Sequence, residues 1–169
     1  WQADGTLAID DGDYIRIFSD TFEEITEFAL PGAMRATTWS PNSLRMLRYW
    51  GGDDVEIYNP ETEQMVELEF SEDWYFYSSS WSPGDEYIAA INENRLAIWD
   101  TTTGERVETI NHRSNISTAA WSPDGMYIAT GTVGGDIIIW DAETFEQASI
   151  SHIDFFQAEE INWSPDSTY

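Results

Sequence analysis

The sequence predicts an all-β fold of repeated four-stranded antiparallel sheets, and three observations carry that prediction. A short turn motif recurs at nearly constant spacing. A second, aromatic motif keeps phase with it. Between them lie apolar runs of strand length, and no apolar run at helical spacing exceeds one turn.

The turn motif reads WSPNS from Trp39, WSPGD from Trp81, WSPDG from Trp121 and WSPDS from Trp163, with a degenerate copy, WQADG, at Trp1. The steps between copies are 38, 42, 40 and 42 residues. A period of about 40–45 residues is that of one four-stranded propeller blade. The second motif reads IFS at 17–19, IYN at 57–59, IWD at 98–100 and IWD at 139–141. Its aromatic follows the leading Trp by 17, 19, 18 and 19 residues. Two landmarks in constant phase define the unit more firmly than either alone.

The unit around Trp121 shows why each piece is a strand or a turn. Ser117 to Trp121 is a short run of small residues, suited to the crowded inner strand beside a central channel. Ser122-Pro123-Asp124-Gly125 is a turn: Pro presets φ, Asp bonds its own backbone, and Gly accepts φ > 0. Tyr127 to Thr130 is the second strand, and Gly134-Gly135 the next hairpin turn. Asp136 to Trp140 is apolar on both faces, as expected of a strand covered on both sides. Gln147 to Ile150 forms the outer strand. In an earlier unit Val66, Leu68 and Phe70 alternate with Glu67 and Glu69, the pattern of a half-exposed outer strand.

At these residues the chain resembles the WD-repeat family: WSPDG, the apolar run YIATGT, then IIIWD and a following turn. The resemblance spans essentially the whole chain, is strongest in the units from Trp81 and Trp121, and weakens toward Trp1. It implies an all-β β-propeller of four-stranded antiparallel blades, WD-repeat type. The expected blade units run approximately 1–33, 34–74, 75–114 and 115–157, with the start of another at 158–169. A last inner strand is expected at 160–163, which makes four blades' worth of strands. A ring needs typically 4–8 blades, so the expectation is an incomplete ring. Self-association that lets two chains complete one eight-bladed ring, and a closed four-bladed monomer, stay open as alternatives.

Charge narrows the function. There are 32 acidic and 7 basic residues, for a net charge of −25, and all seven basic residues are Arg. Such a surface repels phosphate backbones and anionic lipid, which excludes nucleic-acid binding and membrane docking. A saline environment explains the acidity, and so does a basic partner or bound cations. With no cysteine there is neither a disulfide framework nor a thiolate metal site. No apolar stretch approaches the ~20 residues of a membrane span.

Nothing in the sequence arranges a catalytic centre. No P-loop, dinucleotide fingerprint, HExxH or nucleophile elbow is present. The acidic runs Asp10-Asp11-Gly12-Asp13, Gly52-Asp53-Asp54 and Asp154 with Glu159-Glu160 read as hairpin turns, not as a metal site. No catalytic, cofactor-binding or metal-binding residue is therefore assigned, and no cofactor is expected.

The family resemblance implies a polar network of Trp, Ser or Thr, His and Asp inside each blade. Asn111-His112 stands where the family has Gly-His, and Thr130 and Trp140 match the hydroxyl and Trp positions. Gly134 stands at the Asp position, so that network lacks its acid. In the preceding unit Ala89 and Glu93 are read at the hydroxyl and acid positions, with Trp99 retained. Trp39, Trp81, Trp99, Trp121, Trp140, Trp163, His112 and Thr130 are thus structural landmarks, and His152 is read as a loop residue. Aromatics outside the blade pattern, Trp50, Trp74, Tyr75, Phe76, Phe155 and Phe156, are the candidate partner contacts, because interfaces favour such side chains. The reading is a non-catalytic scaffold for an unidentified protein partner. The alternatives are an accessory propeller of a larger enzyme or signalling protein, and a secreted or periplasmic propeller of the SPDG type.

Overall fold

The turns that open the units from Trp81 and Trp121 are each closed by a serine. A computed structural model of the chain describes residues 5–10, 13–29, 35–49, 55–69, 78–154 and 157–167. In it the Ser82 amide donates to the Tyr87 carbonyl at 2.8 Å, and the Tyr87 amide donates back to Ser82 Oγ at 2.9 Å. Ser122 and Tyr127 repeat both bonds at 2.9 Å. The last turn residue takes positive φ: 64° at Asp85, 74° at Gly125 and 58° at Ser167. Glycine adopts that conformation at no steric cost, so WSPDG is the least strained copy.

Strands extend from these turns in simple meanders. The first sheet holds β1 (Leu7–Asp10), β2 (Tyr14–Phe18) and β3 (Glu24–Ala29). The second holds β4 (Arg35–Trp39), β5 (Met46–Tyr49), β6 (Val55–Asn59) and β7 (Gln64–Glu67). The third holds β8 (Ser78–Trp81), β9 (Tyr87–Asn92), β10 (Arg95–Asp100) and β11 (Arg106–Asn111). The fourth holds β12 (Ile116–Trp121), β13 (Tyr127–Thr132), β14 (Asp136–Asp141) and β15 (Gln147–His152). Neighbours in sequence are neighbours in each sheet, all antiparallel. This is the all-β, blade-like architecture that the repeat predicts.

The second landmark ends β2, β6, β10 and β14 by folding the landmark's last residue back on the chain. Asp100 Oδ1 accepts the amides of Thr102 and Thr103 at 2.8 and 2.9 Å. Asp141 Oδ1 accepts those of Glu143 and Thr144, and Asn59 Oδ1 those of Glu61 and Thr62. Ser19 Oγ does the same for Thr21 and Glu23. The Asp of IWD is therefore a side-chain-capped turn, and Asn or Ser serves in the weaker copies.

Apolar cores lie between successive sheets. Ile15, Ile17, Met46 and Tyr58 join the first and second; Leu47, Ile57, Trp81, Ile88 and Trp99 join the second and third. Ile98, Ile110, Trp121, Ile128 and Trp140 join the third and fourth. Leu96 to Trp99 are completely buried, because β10 is covered on both faces. Each large side chain so buried contributes about 1.5–3 kcal/mol.

Two of the leading Trp residues bond to the unit before. Trp81 donates its indole N–H to the Thr38 carbonyl at 3.4 Å, and Trp163 to that of Ala120 at 3.1 Å. The residue that follows each WSP turn covers the next Trp. Tyr87 stacks on Trp121 with centroids 6.2 Å apart, Tyr127 on Trp163 at 6.4 Å, and the Arg45 guanidinium lies 5.4 Å from the Trp81 ring centroid. The turns also hook together: Asn42 donates to Asp85 Oδ1, and the Asp124 amide to Ser167 Oγ.

Three expectations need correction. Residues 160–163 form no strand. The segment leans on the fourth sheet through Trp163 and through Ser117 Oγ, which donates to the Ala158 carbonyl; among the described residues no ladder partner pairs with it. His152 is not in a loop but ends β15, because it pairs across the hairpin with Asp136. The residue equivalent to Thr130 is Ala90, not Ala89: Thr130 faces Ile138 as Ala90 faces Ala97, each two places before the strand's Trp.

Candidate functional site

The connection from the third sheet to the fourth is held at both ends by backbone bonds. The His112 amide donates to the Asn94 carbonyl at 2.8 Å, and Asn94 Nδ2 donates to the His112 carbonyl at 2.9 Å. The Ile116 amide donates to the Glu93 carbonyl at 2.7 Å, and that of Val133 to Asn115 at 2.9 Å. The hairpin turns of both sheets thus clamp residues 112–116. His112 is driven inward, with 7% of its surface exposed.

Inside, His112 meets Trp140 edge to face, with ring centroids 5.1 Å apart. Trp140 Nε1 donates to Thr130 Oγ1 at 2.9 Å, and Thr130 Oγ1 lies 3.4 Å from the Ile138 carbonyl. The structure therefore brings His112, Thr130 and Trp140 together, as three of the landmark residues. The fourth place, Gly134, has no side chain; a Cβ there would lie 3.2 Å from Ser114 Oγ and 3.7 Å from Thr132 Oγ1. Neither His112 ring nitrogen has a hydrogen-bond partner. Burial pulls its pKa from 6.5 to about 4, against an opposing pull from Asp136. The ring is neutral at pH 7, with one donor and one acceptor.

A cavity of about 430 Å³ opens over these residues. Its polar lining includes His112, Ser114, Thr132, Asp136 and Gln147, and its apolar lining includes Ile138 and Trp140. At the edge, His152 Nδ1 and Asp136 Oδ1 are 2.7 Å apart, and His152 Nε2 is 3.4 Å from Asp154 Oδ1. The hydrogen bond to Asp136 raises the His152 pKa, and Asp154 adds to it. Ile150, 54% exposed, leaves the outer side open to solvent. The size suits a small ligand or one inserted side chain.

The other landmarks are structural in different ways. Trp39 is half-buried beside the first core, and Trp81 and Trp121 are buried. In the third sheet Ala90 stands where Thr130 stands in the fourth, and the Trp99 indole donates to the Glu69 carbonyl at 3.0 Å. Trp50, Trp74, Tyr75, Phe76, Phe155 and Phe156 lie outside the described residues. Sequence reasoning missed Asp136, Thr132 and Gln147 as companions of His112. Only the hairpin register, which sets His152 opposite Asp136, signals that cluster.

Two further observations bear on the chain's class. No helix among the described residues is long and apolar enough to cross a membrane. Among those same residues no group of three or more His, Asp or Glu is placed to hold a metal ion.

Comparison with known proteins meets this geometry at the same place. Residues 104–141, which include His112, Thr130 and Trp140, match the model of the WD domain, G-beta repeat. Protein HIR1 of Cryptococcus neoformans var. neoformans serotype D, from each of two strains, is similar over 130 residues at 24% identity, covering 72% of this chain. Protein HIRA of Dictyostelium discoideum is 30% identical over 132 residues, covering 63% of this chain. The matched stretches span only 14% and 12% of those proteins' own lengths. With one repeat matched outright and the neighbouring sheets built on its plan, the comparisons support a WD-repeat family for these blade-like β-sheets.

Proposed function

We propose that the chain is a non-catalytic scaffold that binds a protein partner. The observation that carries this is the repeated lock between sheets, Arg45 on Trp81, Tyr87 on Trp121 and Tyr127 on Trp163. It commits the most regular side chains to rigidity and leaves turns and grooves to recognition. The blade units are those at approximately 1–33, 34–74, 75–114 and 115–157, with another beginning at 158–169. Trp50, Trp74, Tyr75, Phe155 and Phe156, which stand off the core pattern of the units, are the proposed contacts, because aromatic side chains concentrate binding energy. Affinity capture with the wild-type chain and with a Trp74→Ala/Tyr75→Ala/Phe155→Ala/Phe156→Ala variant tests this. Loss of a captured protein in a variant that keeps its Tm supports the reading. Turnover of general hydrolase substrates by the purified chain refutes it.

A second reading, an accessory propeller within a larger protein, draws on one observation: both relatives are many times longer than the stretch they share with this chain. The sequence on either side of these residues in the parent gene tests it.

A further inference from the structure

We propose that the outer edge of β15 takes up an extended, basic segment of a partner protein as a further strand of the fourth sheet. This rests on the scaffold reading and names both the surface and the partner's chemistry. β15 is the last strand of its sheet, and among the described residues no strand lies beyond it. All its residues, from Gln147 to His152, are exposed. The Ile153 amide donates to the Gly135 carbonyl at 2.8 Å, and the register sets Ser151 against Ile137 and Ser149 against Ile139. Hydrogen-bonded pairs alternate along an antiparallel ladder, so the backbone groups of Ser151 and Ser149 face β14. Those of Ile150 and His152 point outward, an open template for another strand.

β15 also lacks the guard that the other outer strands carry. β3 has Glu24 and Glu27, β7 has Glu67, and β11 has Arg106 and Glu108. Charged side chains on an edge deter strand pairing. β15 reads QASISH, with no Asp, Glu, Lys, Arg or Pro. Ile150 lines the cavity with Ile138 and Trp140. An apolar residue set beside Ile150 on an added strand extends that wall as a cross-strand pair.

Charge selects the occupant. From Ser114 to Tyr169 the sequence has nine Asp and Glu and no Lys or Arg. Glu143 and Glu146, both exposed, precede β15, and Asp154, 80% exposed, follows it. A strand laid along this edge therefore meets carboxylates at both ends, which favours Lys or Arg at its own ends. A second copy of the chain brings another −25 to the contact, so like charge opposes pairing of β15 with itself.

The probe is a fluorescein-labelled peptide, Lys-Val-Thr-Val-Thr-Val-Lys, titrated into the whole chain at low salt and followed by anisotropy. The controls are Glu-Val-Thr-Val-Thr-Val-Glu and Lys-Val-Thr-Pro-Thr-Val-Lys, and each should bind more weakly by about tenfold or more. Bound peptide should slow amide exchange at Ile150 and His152 by about tenfold, with little change at Ser149 and Ser151, which already bond to β14. Ile150→Pro removes one outward N–H, which an edge strand tolerates, and Ile150→Lys supplies the missing guard. Each should weaken the basic peptide by about tenfold with the Tm retained.

No saturable binding of the basic peptide, equal binding of the acidic one, or unchanged exchange at Ile150 and His152 overturns the inference. So does undiminished binding by a folded Ile150→Lys variant, or a dimer in light scattering that Ile150→Lys dissolves. A captured partner that is lost with the aromatic variant but kept by Ile150→Lys overturns this edge and spares the scaffold. Basic peptide bound at Ile150 and His152, with no protein captured, upholds the edge and counts against the scaffold.

Discussion

Trp140 donates its indole N–H to Thr130 Oγ1 at 2.9 Å, whereas its counterpart Trp99 reaches the Glu69 carbonyl of the preceding sheet. One substitution between repeats, Ala90 for Thr130, decides which way the indole is satisfied. Thr130 is fully buried, so removing its hydroxyl leaves a buried N–H without an acceptor. Thr130→Val should cost about 1–3 kcal/mol, and Thr130→Ser much less. Urea unfolding of both variants measures the difference.

Gly104 takes φ +75°, and a Cβ there would lie 1.9 Å from the Glu67 carbonyl oxygen. The Gly104 carbonyl also accepts the Glu69 amide at 2.8 Å, so the approach cannot relax freely. Gly104→Ala should destabilise by more than the ~1 kcal/mol that a compatible Gly-to-Ala change gains. At Gly125, φ is +74° but the nearest atom to a Cβ is 3.8 Å away. Gly125→Ala should therefore be the milder change, and thermal unfolding of the pair checks the order.

Arg48 is 1% exposed, paired with Glu56, and lies 3.8 Å over the Tyr58 ring. Arg48→Met alone leaves the Glu56 carboxylate without its partner and should cost about 3–5 kcal/mol. Adding Glu56→Gln removes the charge and should recover much of that loss. A double-mutant cycle in denaturant measures the coupling.

Stability should respond to pH through the two histidines in opposite senses. His112 has a folded pKa of about 4 against 6.5. As pH falls from 6.5 towards 4, the unfolded chain binds this proton first, so stability drops. His152 has a raised pKa, set chiefly by its hydrogen bond to Asp136. Its contribution is full below 6.5 and is lost as pH rises through the folded value. His112→Asn should flatten the acid-side loss, and His152→Asn the loss above pH 6.5. Shared carboxylates cancel when each variant is compared with wild type.

A net charge of −25 repels itself, and salt screens exposed charges beyond about 8–10 Å. The Tm should rise from low salt to molar NaCl. A falling Tm would show that specific ion pairs such as Arg48–Glu56 outweigh the general repulsion.

The blade plan was legible because its signals are local. Pro and Gly in the WSP turns, Asp at the end of IWD, and apolar strands between them act within a few residues of themselves. The limits of the strands were less legible, since pairing decides them. β15 runs on to His152 because Asp136 waits opposite, and 160–163 is no strand because no ladder partner among the described residues meets it. The hydroxyl position is Ala90 and not Ala89, because Ala90 faces Ala97 as Thr130 faces Ile138, and the turn before Trp140 is one residue longer than the turn before Trp99.

By itself, then, the sequence determined the repeat, the turn chemistry and the all-β class, all properties of short spans of chain. Only the tertiary structure decided what each landmark touches. It sets Tyr87 on Trp121 and Trp140 on Thr130, and it leaves His112 buried beside an open cavity where Gly134 has no side chain to offer. Those relations depend on how one sheet stacks against the next, and the spacing of residues along the chain does not encode that distance.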